Sequence, residues 1–325
     1  MANLSLREHL SKIGEPKPGK AFRLVRNFYV LPPSRRLRDM MRAMLSPQPS
    51  QWTKPNEGKF LDRDSDHGWT TDCQGVTHDD NFWYISSDHA HESGIHTHRK
   101  RVYRLSLSHV VDGHVDVADS GSEHLGAIDY YKGRIYCAME RPVQILIIDT
   151  PPFTEWKRAA LVGEENGPAP QDSCPWCAIN PWNGLLYSSN NGHHAPGEDT
   201  LRAYRFDKPS SRFMHVPTAD IVLSEKIRKI QGAVFSKNGH ALLASDHSND
   251  IRCYSVLNGQ FLGRAAIREN DSFFVQEEVE GLTIWEGVSY EGIPTHVHVI
   301  LLDNDLADRD DVFFKHYQVP LAEYL

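Results

Sequence analysis

One hairpin-like unit is written five times along this chain, and that repetition limits its fold more than any single motif does. The copies are "QGVTHDDNFWYISSDH" from Gln74, "LGAIDYYKGRIYCAMER" from Leu125, "PWCAINPWNGLLYSSNN" from Pro175, "QGAVFSKNGHALLASDH" from Gln231 and "EGLTIWEGVSYEGIPTHVHVILLDND" from Glu280. In each, an apolar run meets a turn and a second apolar run follows, which is the pattern of a β-hairpin. Aligned on Gly75, Gly126, Trp176, Gly232 and Gly281, the copies lie 51, 50, 56 and 49 residues apart. Propeller blades repeat at about 40 to 50 residues.

Each hairpin leads into a third strand, seen in "RVYRLSL", "VQILIID", "LRAYRFD", "IRCYSV" and "VFFKHYQV", four of which carry Tyr103, Tyr204, Tyr254 and Tyr317. Segments such as "GHVDVAD" leave room for a fourth, the strand content of a blade. The spacing predicts an all-β chain, a five-bladed β-propeller over residues 71–325. The fifth copy ends near the C-terminus without a fourth strand, so a segment before Asp72 is expected to close the ring. Residues 1–70 are read as an N-terminal extension: "KAFRLVRNFYVLPP" has strand character, while "SLREHLSKIG" and "SRRLRDMMRAMLS" read as helices.

Charge and composition narrow the partners. With 43 acidic against 35 basic residues and a net charge of -8, the chain is a poor match for nucleic-acid phosphates. No apolar run approaches the ~18 residues of a membrane span, and the first residues carry charges where a signal peptide needs an apolar stretch. A cytoplasmic protein that acts on a small-molecule substrate, with no membrane and no nucleic-acid partner, is the expectation. The five cysteines are odd in number and read as free thiols. The spacing of Cys174 and Cys177 matches a redox or zinc pair, but the strand-like sequence that follows favours buried structural thiols.

Position within the unit picks out candidate site residues. The second strand of the five copies ends in Asp88, Glu140, Asn190, Asp246 and Asp303. In a four-stranded blade the start of the first strand and the end of the second share one face, so Gln74, Gln231 and Glu280 join that set, with His89, His124 and His247 adjacent. Any one of these acids alone is an ordinary turn residue. Converging on one axis, they would repel one another unless a hard cation with oxygen ligands stood between them. Asp88, Glu140, Asn190, Asp246, Glu280 and Asp303 are therefore the expected ligands of a divalent metal, calcium first and zinc second. His89, His124 and His247 are the candidate proton carriers, and Gln74, Gln231, His91, His193 and His194 the candidate substrate contacts. The run "HAHESGIHTH" reads as a loop on the same face, and its imidazoles suit zinc or another transition metal better than calcium.

The stretch "QGAVFSKNGHALLASDHSNDIRCYSVLNGQFLG" resembles the blade of the calcium-dependent propellers grouped with senescence marker protein 30 and gluconolactonase, and of strictosidine-synthase-like and NHL-repeat proteins. The shared pattern is an apolar strand, an Asn-Gly or Asp-Gly turn, a strand ending in a small residue plus Asp, and a following Ile-x-x-Tyr. The resemblance covers residues 72 to about 319 at the level of blade pattern. It implies a metal held by Glu280, Asn190 and Asp246, although those families have six blades and five are counted here. Metal-assisted ester or lactone hydrolysis is the activity expected from it, with a lyase or cyclase, or a scaffold that binds a protein or glycan, as alternatives.

Overall fold

The computed structural model describes residues 53–60, 69–70, 72–92, 95–117, 124–192, 197–267, 275–290, 292–305 and 311–318. The chain divides into two compact units, Met1–Arg42 and Ala43–Leu325, and every described residue belongs to the second. The two helices read at the N-terminus and the strand-like stretch 20–33 lie outside the described residues.

Within the second unit the described residues are almost entirely strand. After β1 (Thr53–Phe60), one antiparallel sheet is built from β2 (Cys73–His78), β3 (Trp83–Glu92), β4 (Ile95–Leu105) and β5 (Val111–Val117), in that order. The next run is β6 (His124–Tyr130), β7 (Arg134–Glu140), β8 (Gln144–Asp149) and β9 (Thr154–Val162). The third is β10 (Ala178–Ile179), β11 (Leu186–Ser188), β12 (Glu198–Asp207) and β13 (Arg212–His215), with β14 (Ile221–Ile227) also paired to β12. These two runs join edge to edge, because β13 pairs in parallel with β9 through Phe213 and Met214. A fourth run holds β15 (Ile230–Phe235), β16 (His240–Ser245), β17 (Asp250–Ser255) and β18 (Phe261–Ala266). The last sheet is β19 (Val275–Tyr290), β20 (Ile293–Asp305) and β21 (Asp311–Gln318), completed by β1, which lies antiparallel to β21. The fold is propeller-like and all-β.

The first strand of each run faces the first strand of the next: β2 packs on β6, β6 on β10, β10 on β15, β15 on β19, and β19 on β2 again. Backbone meets backbone in this nearly closed ring. A Cβ on Gly75 would stand 2.5 Å from Ala127 Cα, and one on Gly281 would stand 2.7 Å from Gly75 Cα. Only a residue without a side chain permits that approach. Gly126 and Gly232 make the same kind of approach to Pro175 and Gly281, and the third run departs from the pattern with buried Trp176.

Outside the ring, adjacent runs bury their faces against each other. Along β3, Trp83 and Ile85 pack with Trp285, Ile300 and Phe314 of the last sheet, while Tyr84 between them packs with Leu125, Ile135 and Met139 of the second run. On β8, Leu146 and Ile148 face the first sheet, whereas Ile145 and Ile147 face the third run. The alternation is the period of two expected of a strand buried on both faces. All five cysteines are free and buried in these layers. Burial pushes the Cys174 thiol up to about 12 and Cys177 well above its ordinary value, so both are inert thiols at neutral pH.

The ring glycines give a direct test. Gly281→Ala is expected to lower unfolding free energy by about 1–3 kcal/mol through overpacking against backbone that has little room to move. Gly113→Ala, where the nearest atom to a new Cβ is 3.8 Å away, is expected to be nearly neutral, and urea denaturation of the two variants checks the contrast.

Candidate functional site

The glycine ring has a local consequence one residue upstream. Register slips between Cys73 and Gly75, between Ile230 and Gly232, and between Val279 and Gly281, leaving Gln74, Gln231 and Glu280 as the extra residue of a β-bulge in three runs. A bulge turns a side chain out of the regular ladder. Here it puts three polar side chains of matching position where the first strands begin.

The second strands end at the same level. Asp88 N–H donates to Asp72 O at 3.0 Å, and Asp246 N–H donates to Lys229 O at 3.0 Å, so the two aspartates hold equivalent places. Asp88 reaches across to the next run. Its carboxylate accepts from Leu125 N–H at 2.8 Å and from His124 Nδ1 at 2.9 Å, and Lys100 Nζ lies 3.0 Å away. His124 Nε2 is 2.7 Å from the Gln74 side-chain oxygen, and Gln74 Nε2 donates to Asp72 at 2.6 Å. Both ring nitrogens of His124 therefore face acceptors, an arrangement that only the doubly protonated imidazolium satisfies. Burial by itself would disfavour that charge, but Asp88 outweighs it and His124 titrates above its usual range. Burial likewise opposes the Asp88 charge, and His124 and Lys100 overcome it to hold Asp88 below the usual carboxylate range.

A second network spans the third, fourth and fifth runs. Asn191 Nδ2 donates to Gln231 Oε1 at 3.0 Å, and Gln231 Nε2 approaches Glu280 Oε1 at 3.5 Å. Glu280 is 2 % exposed. Burial, then the charges of Glu278, Asp246 and Asp72, raise its carboxyl well above the ordinary value, against a small opposing effect of Gln231. These surroundings favour the neutral form of the acid. Asp246 is paired with Lys229 at 2.7 Å.

Other sequence-predicted residues fall elsewhere. His247 is exposed, with Nε2 3.3 Å from an Arg228 nitrogen. Asn190 accepts from Asp172 N–H at 3.0 Å and Ser173 N–H at 3.3 Å and donates to Glu198 at 3.1 Å, which stabilises its own loop. Glu140 is half-buried opposite His124 and adds to the negative potential there. Asp303 does not end its strand: β20 continues to Asp305, and the register sets Leu302 opposite Glu278 and Asp303 opposite Glu277. A further register shift between Ile284 and Val288 in that long hairpin makes sequence counting unreliable. The run "HAHESGIHTH" is strand at both ends, not a loop, and pairs His91 with His96 across β3 and β4. The side chains of His89 and His91, and residues His193 and His194, lie outside the described residues.

Missed from the sequence were Lys229, Glu278, Asp72 and Asn191. The first three sit three residues before Gly232, Gly281 and Gly75. That charged column was present in the repeat alignment. Among the described residues no three His, Cys, Asp or Glu side chains converge as a metal ion requires. No helix among them is long and apolar enough to cross a membrane.

No protein-family model and no curated protein matches the sequence. Among solved structures, the chain is similar to glutaminyl cyclase of Myxococcus xanthus, with 15% identity, 80% of this chain and 97% of that chain covered, and a TM-score of 0.49. It is similar to the tail fibre of Staphylococcus aureus phage P68 with 12% identity, 82% and 54% covered, and a TM-score of 0.48. For a nidogen/laminin complex the values are 12%, 73% and 77%, and 0.42. The assignment of the fold rests on the strand pairing itself.

The Asp88–His124 pair predicts a pH window. The raised histidine contributes stability that is complete below the unfolded value of 6.5 and is lost as pH rises through its folded pKa. The depressed aspartate contributes stability that is complete above 3.8 and is lost as pH falls through its folded pKa. Both contributions are full between these values, and there Asp88→Asn is expected to cost about 1.5–3 kcal/mol. Denaturation at pH 5 and pH 9 should show the larger cost at pH 5.

Proposed function

We propose that the chain closes as a five-bladed ring and is an enzyme acting on a small polar molecule where the first strands begin, with Glu280 as its general acid. The observation that carries this is the setting of Glu280: buried, beside other acids that favour its neutral form, and held among the described residues by a 3.5 Å contact from Gln231. A neutral carboxylic acid of that kind protonates a leaving oxygen, the step needed in ester or lactone hydrolysis and in elimination or cyclisation. Gln231, fixed by Asn191, orients the acid. His124 is a positioning residue in this reading, because both its nitrogens are committed to Asp88 and Gln74.

This reading uses no central divalent cation, because three of the ligands expected from the sequence already have partners. Asp88 is satisfied by Lys100, His124 and Leu125, Asn190 by its own loop, and Asp246 by Lys229. Chelator is expected to leave Tm unchanged, since no bound ion would be lost. A fall in Tm that added calcium or zinc reverses would support the cation instead.

Turnover is to be sought across a panel of lactones and esters. On any substrate found, Glu280→Gln is expected to lower kcat by about 10²–10⁴-fold and to leave Tm unchanged or raised, because a buried titratable group has been removed. Full activity in that variant would overturn the role of Glu280. No turnover across the panel would favour a binding scaffold.

A further inference from the structure

A cluster of imidazoles lies where the last sheet packs on the first. His298 on β20 and His316 on β21 are both fully buried, with their Nδ1 atoms 2.8 Å apart. His298 Nε2 is 3.0 Å from Trp285 O. Tyr290 stacks on His316 at 4.0 Å between ring centroids, and Phe314 lies 4.4 Å from it. From the first sheet, Trp83 meets His298 at 4.7 Å, and His109, in the turn between β4 and β5, stacks on His316 at 5.3 Å.

Proton counting fixes the state of the pair. A carbonyl can only accept, so His298 carries its proton on Nε2 and offers Nδ1 as an acceptor. His316 must then donate from Nδ1, which leaves its Nε2 bare. That Nε2 is buried and has no hydrogen-bond partner among the described residues. A further proton has no place to go: two N–H groups cannot face each other at 2.8 Å, and a proton on His316 Nε2 would put a cation among Tyr290, Phe314 and His109 with no acceptor. The other titratable groups facing the pair are His78 on β2 and His296 on β20, and Asp79 and Asp80 act on His78. On the other flank β1 sets Asn56 opposite His316 and Glu57 opposite Lys315 in the backbone register.

We propose that His298 and His316 form a pH-sensitive latch: neutral, they hold the last sheet against the first, and protonation in mild acid opens that seam before the rest of the fold. Burial holds His298 down to about 3 and His109 to about 4, and depresses His316 as well. Each folded pKa lies below the unfolded value of 6.5. The stability they contribute is complete above 6.5 and drains away as pH falls toward the folded values.

Hydrogen exchange with mass spectrometry from pH 7 to pH 4.5, corrected for intrinsic rates, reads the opening of each sheet. Below 6.5 and above the folded values, every histidine freed adds about one power of ten in opening per pH unit. For β19 to β21 we expect about 100-fold per pH unit from the pair, and more if His78 and His109 are freed too, while β7 to β9 stay protected. His316→Phe keeps the ring stack, and His298→Gln keeps a donor to Trp285 O and an acceptor for His316. Each should cut the slope by about tenfold per pH unit. Should His316→Phe fail to fold, the wild-type profile and His298→Gln decide the matter. Loss of protection in all sheets together, a flat profile, or a wild-type slope in His298→Gln would overturn the latch.

Discussion

Backbone-to-backbone contact at Gly75 and Gly281 is the constraint on which the rest of the structure depends. Where the first strands meet so closely, no side chain can occupy the contact. Bulges at Gln74, Gln231 and Glu280 lie one residue before three of the ring glycines. The contact that brings the sheets together thus also borders the polar groups of the candidate site.

Electrostatics then separates two halves of that site by the company each acid keeps. Asp88 has a lysine, a histidine and a backbone N–H, so its charge is fully balanced and ties the first sheet to the second. Glu280 has other acids around it and a long amide contact from Gln231, with the Lys229 charge also in electrostatic reach, and its carboxyl is shifted toward the neutral form. Two carboxyl groups at related positions of a repeat are thereby shifted in opposite directions.

Much of this was legible in the sequence, for reasons particular residues make plain. The alignment points Gly75, Gly126, Gly232 and Gly281 were visible because a close approach admits no substitute, and the apolar strands because both faces of a strand such as "QILIID" are buried. Gln74, Gln231 and Glu280 could be placed on one face from their offset alone. What could not be read was pairing. The ion pair of Asp246 with Lys229 and the acceptors facing both nitrogens of His124 leave no trace in the repeat. Partners come from neighbouring strands, about which local pattern says nothing. Asp303 was misplaced because a bulge in a long hairpin shifts the count by more than a turn signal reveals.

The strand at 53–60 finds its partner only at 311–318, and this has a consequence for how the molecule is made. During synthesis β1 emerges ahead of every other described strand and pairs with the last of them. Until β21 follows, the last sheet has no outer strands and β1 has no ladder, so both offer open hydrogen-bonding edges to neighbours. Contacts of such sequence separation form slowly. The final joining of the two ends is thus the step most exposed to competition from another copy of the same chain, whose own β1 can complete the sheet equally well.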